Sequence, residues 1–144
     1  VLFRSWTKEH TNIWIELTTL IIPELNDSKK ETDDMLDWVK KYLGSDTPIH
    51  FTAFHPDWKM RNVPPTPLGK LIEKYDQAKN KGFPYVYLGN VFAKEKQSTH
   101  CPKCQSEIIN REWHNVRLTQ TEFSGSCLQC GWKIPGFFND KRLV

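Results

Sequence analysis

Four cysteines, all near the C-terminal end, constrain this chain more than any other feature. They form two identical pairs, Cys101-Pro-Lys-Cys104 and Cys127-Leu-Gln-Cys130, with 22 residues between them. A two-residue gap lets both sulfurs of a pair turn toward one ion. Two such pairs supply the four thiolates of a tetrahedral Zn²⁺ site. Gly131 follows the second pair, where the backbone must turn tightly and freedom to take positive φ helps. The spacing therefore predicts a structural zinc centre at Cys101, Cys104, Cys127 and Cys130. Iron in the same S₄ cage and a redox thiol pair stay open on the same residues. Two disulfides would need an oxidising compartment.

Composition narrows the rest. The chain has 144 residues, enough for one ordinary domain or a small domain plus a module. Hydrophobics at 38% and charged residues at 26% describe a globular chain, neither disordered nor membrane-spanning. A net charge of +3 is too weak to argue for a nucleic-acid partner. The longest apolar run, residues 17–22, is far too short to cross a bilayer and ends at Pro23. No basic and apolar leader opens the chain, and cysteines confined to metal-type pairs favour the cytoplasm.

The first five residues carry no structural signal. Residues 13–22 are rich in β-branched side chains, alternating at first and then almost continuously apolar. That pattern predicts a strand buried on both faces, as in a parallel sheet. Ser28-x-x-Glu31 reads as a capping box. Met35, Leu36, Val39, Tyr42 and Leu43 follow at helical spacing, and Gly44 closes the helix. Residues 49–54 form the next strand. Thr66 is expected to cap a second helix that has Pro67 at its first position and ends at Gly82. Residues 85–88 form a third strand. The expected order is β-α-β-α-β over residues 1–90. A polar linker (91–99), a Cys₄ module (100–138) and a short tail (139–144) follow. Within the module, residues 108–113 and 114–119 are expected to pair as a ribbon hairpin. Three parallel strands and two helices leave faces and edges uncovered. Either the chain oligomerises or further strands precede it, and the missing Met favours the second.

Ligands bind beyond the carboxyl ends of strands in open α/β sheets and barrels. The candidates are therefore Pro23, Glu24, Asn26 and Asp27 after the first strand. His55, Asp57, Trp58, Lys59 and Arg61 follow the second, and Gly89 and Asn90 the third. Asp27 reads first as a helix-entry cap, Asp57 as a turn builder, and Lys59 and Arg61 as solvated surface. His55 is the candidate least easily explained by structure alone. Glu16, inside a strand, needs a partner if buried, or faces solvent or a barrel lumen. His100 and His114 flank the cysteines and read as neighbours rather than ligands. No nucleophile elbow, phosphate loop, dinucleotide loop or zinc-protease helix occurs.

Three segments carry a resemblance. Trp14-Ile-Glu-Leu-Thr-Thr-Leu-Ile-Ile-Pro-Glu-Leu-Asn-Asp27 resembles the fifth-strand segment of radical SAM enzymes of the pyruvate formate-lyase-activating type. It is closer still to the radical SAM enzymes of the AmmeMemoRadiSam type. His50-Phe-Thr-Ala-Phe-His-Pro-Asp-Trp-Lys-Met60, with Pro64-Pro-Thr-Pro67, is similar to that subfamily's sixth-strand loop. Tyr85-Val-Tyr-Leu-Gly-Asn-Val91 and the cysteine ribbon match its C-terminal end. The resemblance implies a partial, TIM-like parallel β/α barrel followed by a small zinc ribbon. It also implies reductive cleavage of S-adenosylmethionine by a [4Fe-4S] cluster, giving a radical that abstracts hydrogen from a substrate. The family's cluster motif, Cys-x3-Cys-x2-Cys, is absent from these residues, so this portion cannot by itself reduce the cofactor. By the same resemblance, His55 matches a histidine near S-adenosylmethionine, and residues 22–27 match the segment packing near the adenosyl group. Pro23, Glu24, Asn26 and Asp57 complete the expected cofactor contacts. Glu24 stands where relatives usually have Gly.

A competing reading treats the chain as a zinc-ribbon binding module that grips a protein or nucleic acid through Trp113, Trp132, Phe137 and Phe138. An inert α/β scaffold is the third reading.

Overall fold

The structure is a computed structural model that describes residues 2–112, 115–119, 121 and 125–138. The chain divides into two compact units, Val1–Phe92 and Ala93–Val144.

The first unit is a mixed α/β structure with a small parallel sheet. Its elements run α1 (Leu2–His10), β1 (Leu17–Ile21), α2 (Lys29–Tyr42), β2 (Ile49–Ala53), α3 (Leu68–Asn80) and β3 (Val86–Gly89). The sheet order is β1-β2-β3, and both pairings are parallel. The β-α-β-α-β succession expected from the sequence is present. The helix α1 that precedes it was not expected. It is held by local bonds: the Thr7 hydroxyl donates to Phe3 C=O, and the Trp6 and His10 rings stack 5.0 Å apart.

Register decides which face each strand residue takes. Leu17, Thr19 and Ile21 align with Ile49, Phe51 and Ala53, and Ile49 and Phe51 align in turn with Val86 and Leu88. This row faces the helices. Thr19 Oγ1 donates to Met35 Sδ of α2, and Ile21, Phe51, Leu36, Val39 and Leu71 form a closed apolar core. Burying each such side chain contributes roughly 1.5–3 kcal/mol. Helices α2 and α3 lie on the same face. The Gln77 amide donates to Lys29 C=O, and Lys81 bonds the Asp37 carboxylate at 2.5 Å. Lys74 is buried between them and donates to Ser28 C=O. Burial, with repulsion from Lys70, pulls its ammonium below the ordinary lysine range.

The other row is Thr18-His50-Tyr87 and Leu20-Thr52-Gly89, on the opposite face of the sheet. Here the expectation of a first strand buried on both sides fails. The strand is shorter than residues 13–22, lies at the sheet edge, and exposes Thr18 and Leu20. Its β-branched composition reports only the covered face. Glu16 lies just before β1 rather than within it. Its carboxylate is half-exposed and accepts from Trp14 Nε1 at 2.9 Å, with His50 Nε2 2.7 Å away.

The helix ends mostly follow the sequence. Ser28 caps α2, its hydroxyl accepting from Glu31 N–H, and Gly44 leaves the helix at φ 90°. Thr66 does not cap α3, because Pro67 occupies that position and makes no side-chain capping bond. The Thr66 hydroxyl instead accepts from Phe54 N–H at 2.8 Å and donates to Ile21 C=O at 2.5 Å. It fastens the ends of β1 and β2 together.

The second unit holds an antiparallel sheet of β4 (Thr99–His100), β5 (Glu107–Glu112) and β6 (Asn115–Leu118), in that order. The expected hairpin corresponds to β5 and β6; Trp113 and His114 lie outside the described residues. Thr99, assigned from the sequence to the linker, is a strand residue. Ile108, Cys101, Cys127 and Ile134 are buried and form the small core. The expected tail, residues 139–144, also lies outside the described residues.

Candidate metal centre and strand-end loops

The two cysteine pairs fold as copies of one backbone unit. In the first, Gln105 N–H donates to Cys101 C=O at 2.9 Å, and Cys101 N–H donates to Ser106 C=O at 2.9 Å. In the second, Gly131 N–H donates to Cys127 C=O at 2.8 Å, and Cys127 N–H donates to Trp132 C=O at 2.9 Å. The fifth position of each unit takes positive φ, 63° at Gln105 and 72° at Gly131. Glycine fits that position without strain, whereas glutamine pays about 1 kcal/mol for it.

This folding brings the four sulfurs within 4.8 Å of one another. Cys101 and Cys130 lie 3.5 Å apart, and Cys104 and Cys127 3.7 Å. A tetrahedral ion with Zn–S bonds of about 2.3 Å needs sulfurs about 3.8 Å apart, so the set fits. All four are free thiols, so the two-disulfide alternative is not what the structure contains. Among the described residues no histidine joins the group. His100 is a half-buried strand residue, and His114 is outside the described residues. The four cysteines can therefore hold a metal ion.

The thiols are electrostatically unequal. The Ser106 hydroxyl holds Cys127 down at about 6 and also lowers Cys104. At Cys130 the Trp132 backbone N–H acts to lower the pKa. Burial and the neighbouring sulfurs outweigh it and push Cys130 up to about 12. A cation among them reverses that last effect, because it favours every thiolate.

The strand ends of the first unit show a second pattern. A non-glycine residue with positive φ follows each strand: Glu24 (66°) after β1, Trp58 (45°) after β2 and Asn90 (57°) after β3. Such backbone is costly for ordinary residues and concentrates at functional loops. Pro23 is buried beside the first turn. Asn26 and Asp27 are committed to building it. The Asn26 carboxamide accepts from Ile22 N–H at 2.7 Å and donates to Leu20 C=O at 2.9 Å. The Asp27 carboxylate accepts from Glu24 N–H and pairs with Lys70 at 3.4 Å. Ser28, not Asp27, is the helix cap. Asp57 also builds a turn, accepting from Trp58 N–H at 2.7 Å. Lys59 lies over the exposed Trp58 ring, and Arg61 is exposed. His55 presents an exposed imidazole with no hydrogen-bond partner among the described residues. Asn90 donates to Ala53 C=O at 3.3 Å, tying β3 to β2.

Sequence reasoning missed the Thr66 latch and the Thr52–Gly89 contact. A Cβ on Gly89 would meet Thr52 Oγ1 at 2.8 Å, so only glycine leaves that hydroxyl its place. It also missed the Glu16–His50–Tyr87 row, in which the His50 ring stacks on Tyr87 at 5.0 Å. These contacts join residues far apart in sequence. Period-2 alternation through residues 49–53 was the one signal that set His50 and Thr52 on a common face. The row lies at the amino ends of the strands, where β/α folds place stabilising rather than catalytic groups.

Comparison with known proteins gives one informative relative. The uncharacterized protein MJ0808 of Methanocaldococcus jannaschii is 39% identical over 123 residues, covering 85% of this chain and 37% of the relative. The chain thus spans little more than a third of that relative's length. No family model matches, and no solved structure matches. No helix among the described residues is long and apolar enough to cross a membrane.

Proposed function

We propose that this chain is the C-terminal portion of a radical S-adenosylmethionine enzyme, a partial β/α barrel followed by a structural zinc ribbon. The observation that carries the reading is the left-handed residue after each of the three parallel strands, at the edge where such sheets bind ligands. Glu24 supports it in particular. It adopts glycine-like backbone at the position where the resembling enzymes usually have Gly, so the turn keeps its shape without the usual residue.

In this reading Pro23 and Glu24 offer backbone to the cofactor, and His55 offers its free imidazole. Asn26, Asp57, Thr66 and Asn90 hold the loops in place. Bound S-adenosylmethionine, cleaved reductively beside a [4Fe-4S] cluster, would supply hydrogen-abstracting chemistry. The four cysteines here do not fit that cluster. All four are drawn into one S₄ set suited to a structural Zn²⁺, so the cluster's ligands belong to another part of the protein. The enzyme works in the cytoplasm on a small molecule or a protein substrate.

The test uses the full gene product, purified without oxygen and reduced in the presence of S-adenosylmethionine. Formation of 5′-deoxyadenosine is expected. His55→Ala is expected to weaken cofactor binding about tenfold, the worth of one hydrogen bond. No iron–sulfur signal and no 5′-deoxyadenosine would sink the proposal.

One observation favours a second reading, a protein-docking role for the second unit. Trp132 and Phe137 are exposed, as are Leu128 and the alternating Val116 and Leu118 of β6. Phe138 instead packs against Gly125, and Trp113 lies outside the described residues.

A further inference from the structure

The two cysteine units share a backbone but differ at their sixth residue, Ser106 in one and Trp132 in the other. Ser106 Oγ lies 3.1 Å from Cys104 Sγ and 3.5 Å from Cys127 Sγ, so it touches both units. With a metal bound all four sulfurs are thiolates, and the Ser106 hydroxyl can only donate. Donation draws charge off a thiolate and makes it a weaker nucleophile. Access is unequal too: Cys101 and Cys127 are buried, whereas Cys104 and Cys130 are half-exposed. Of the two half-exposed cysteines, only Cys130 lacks the hydroxyl.

We propose that Ser106 is a positioning residue that makes the sulfurs of the metal centre unequal, shielding Cys104 and Cys127 and leaving Cys130 as the one a soft electrophile attacks first. The inference rests on the metal reading of the centre. A lone pair of Cys130 Sγ forms the new S–C bond as the leaving group departs with its electron pair. The resulting neutral thioether is a poorer ligand than a thiolate, and the ion is released.

The 144-residue chain, loaded with Zn²⁺ and checked for metal content, is treated with less than one equivalent of iodoacetamide and mapped by peptide mass. The first label is expected on Cys130, together with zinc release. Ser106→Ala should raise labelling of Cys104 about tenfold, the usual effect of losing a group that orients a ligand. It should also shift the sulfur-to-metal charge-transfer band of the Co²⁺ form. Ser106→Thr, which keeps the hydroxyl, should restore the original order. Equal labelling of Cys104 and Cys130 in the unsubstituted protein overturns the inference. So does a Ser106→Ala protein with unchanged labels and an unchanged band. A chain that takes up no metal overturns the metal reading itself, a result the metal assay reports separately.

Discussion

Thr66→Val removes the hydroxyl that fastens the ends of β1 and β2 while keeping the side chain's shape. The threonine is 8% exposed, and its oxygen makes two hydrogen bonds, to Phe54 N–H at 2.8 Å and Ile21 C=O at 2.5 Å. Each such bond contributes about 1 kcal/mol net, and each buried group left without a partner costs about 1–3 kcal/mol. The expected loss is therefore about 2–4 kcal/mol, a large share of the roughly 5–15 kcal/mol that holds a small domain together. Thr66→Ser keeps both bonds and gives up one methyl, for about 1 kcal/mol. Urea unfolding followed by circular dichroism at the helical band reports the first unit, because every α-helix among the described residues lies there. A Thr66→Val protein within about 0.5 kcal/mol of the parent would refute the latch. So would a Thr66→Ser protein as damaged as Thr66→Val, since the hydroxyl would then not be the cause.

Other outcomes follow from the same geometry. Gln105→Gly should stabilise the metal-loaded second unit by about 0.5–1 kcal/mol by relieving its positive φ, and Gly131→Ala should cost about 1 kcal/mol at the matching position. Thermal melts of the loaded chain check both. Gly89→Ala should cost about 1–3 kcal/mol through the clash with Thr52 Oγ1. Adding Thr52→Ala should recover most of that loss in denaturant titrations, which an independent pair of sites would not do. Metal affinity should fall as pH falls, because the ion must displace protons from the thiols. Cys127, lowered to about 6 by Ser106, favours the folded centre fully above the ordinary thiol range, and that support is lost as pH falls through about 6. Competition titrations with a zinc indicator between pH 6 and 9 should show this slope, and a flat profile would contradict it.

Much of the architecture was legible because it is local. Ser28 and Glu31 announce the start of α2, Gly44 and Gly82 its end and that of α3, and alternating residues announce β2. The cysteine spacing fixed which four sulfurs meet, since each pair needs only one tight turn. Position 105 shows the limit of that logic: glutamine hides a turn that Gly131 displays. What escaped depends on contacts between distant segments. Thr66 beside Pro67 has the local look of a helix cap, and only the approach of residues 21 and 54 shows its hydroxyl to be a latch. Residues 13–22 read as doubly buried because composition records apolar character but not which neighbours arrive to cover it.

By itself, then, the sequence determined the alternation of strands and helices and a tetrathiolate centre, because periodicity, caps and short spacings act within a few residues. The tertiary structure decided that β1 is an edge strand with one open face. It decided that the strand ends are latched by Thr66 and Asn90, and that one serine reaches both halves of the metal centre. Those outcomes depend on strand register and side-chain reach between segments that are distant along the chain.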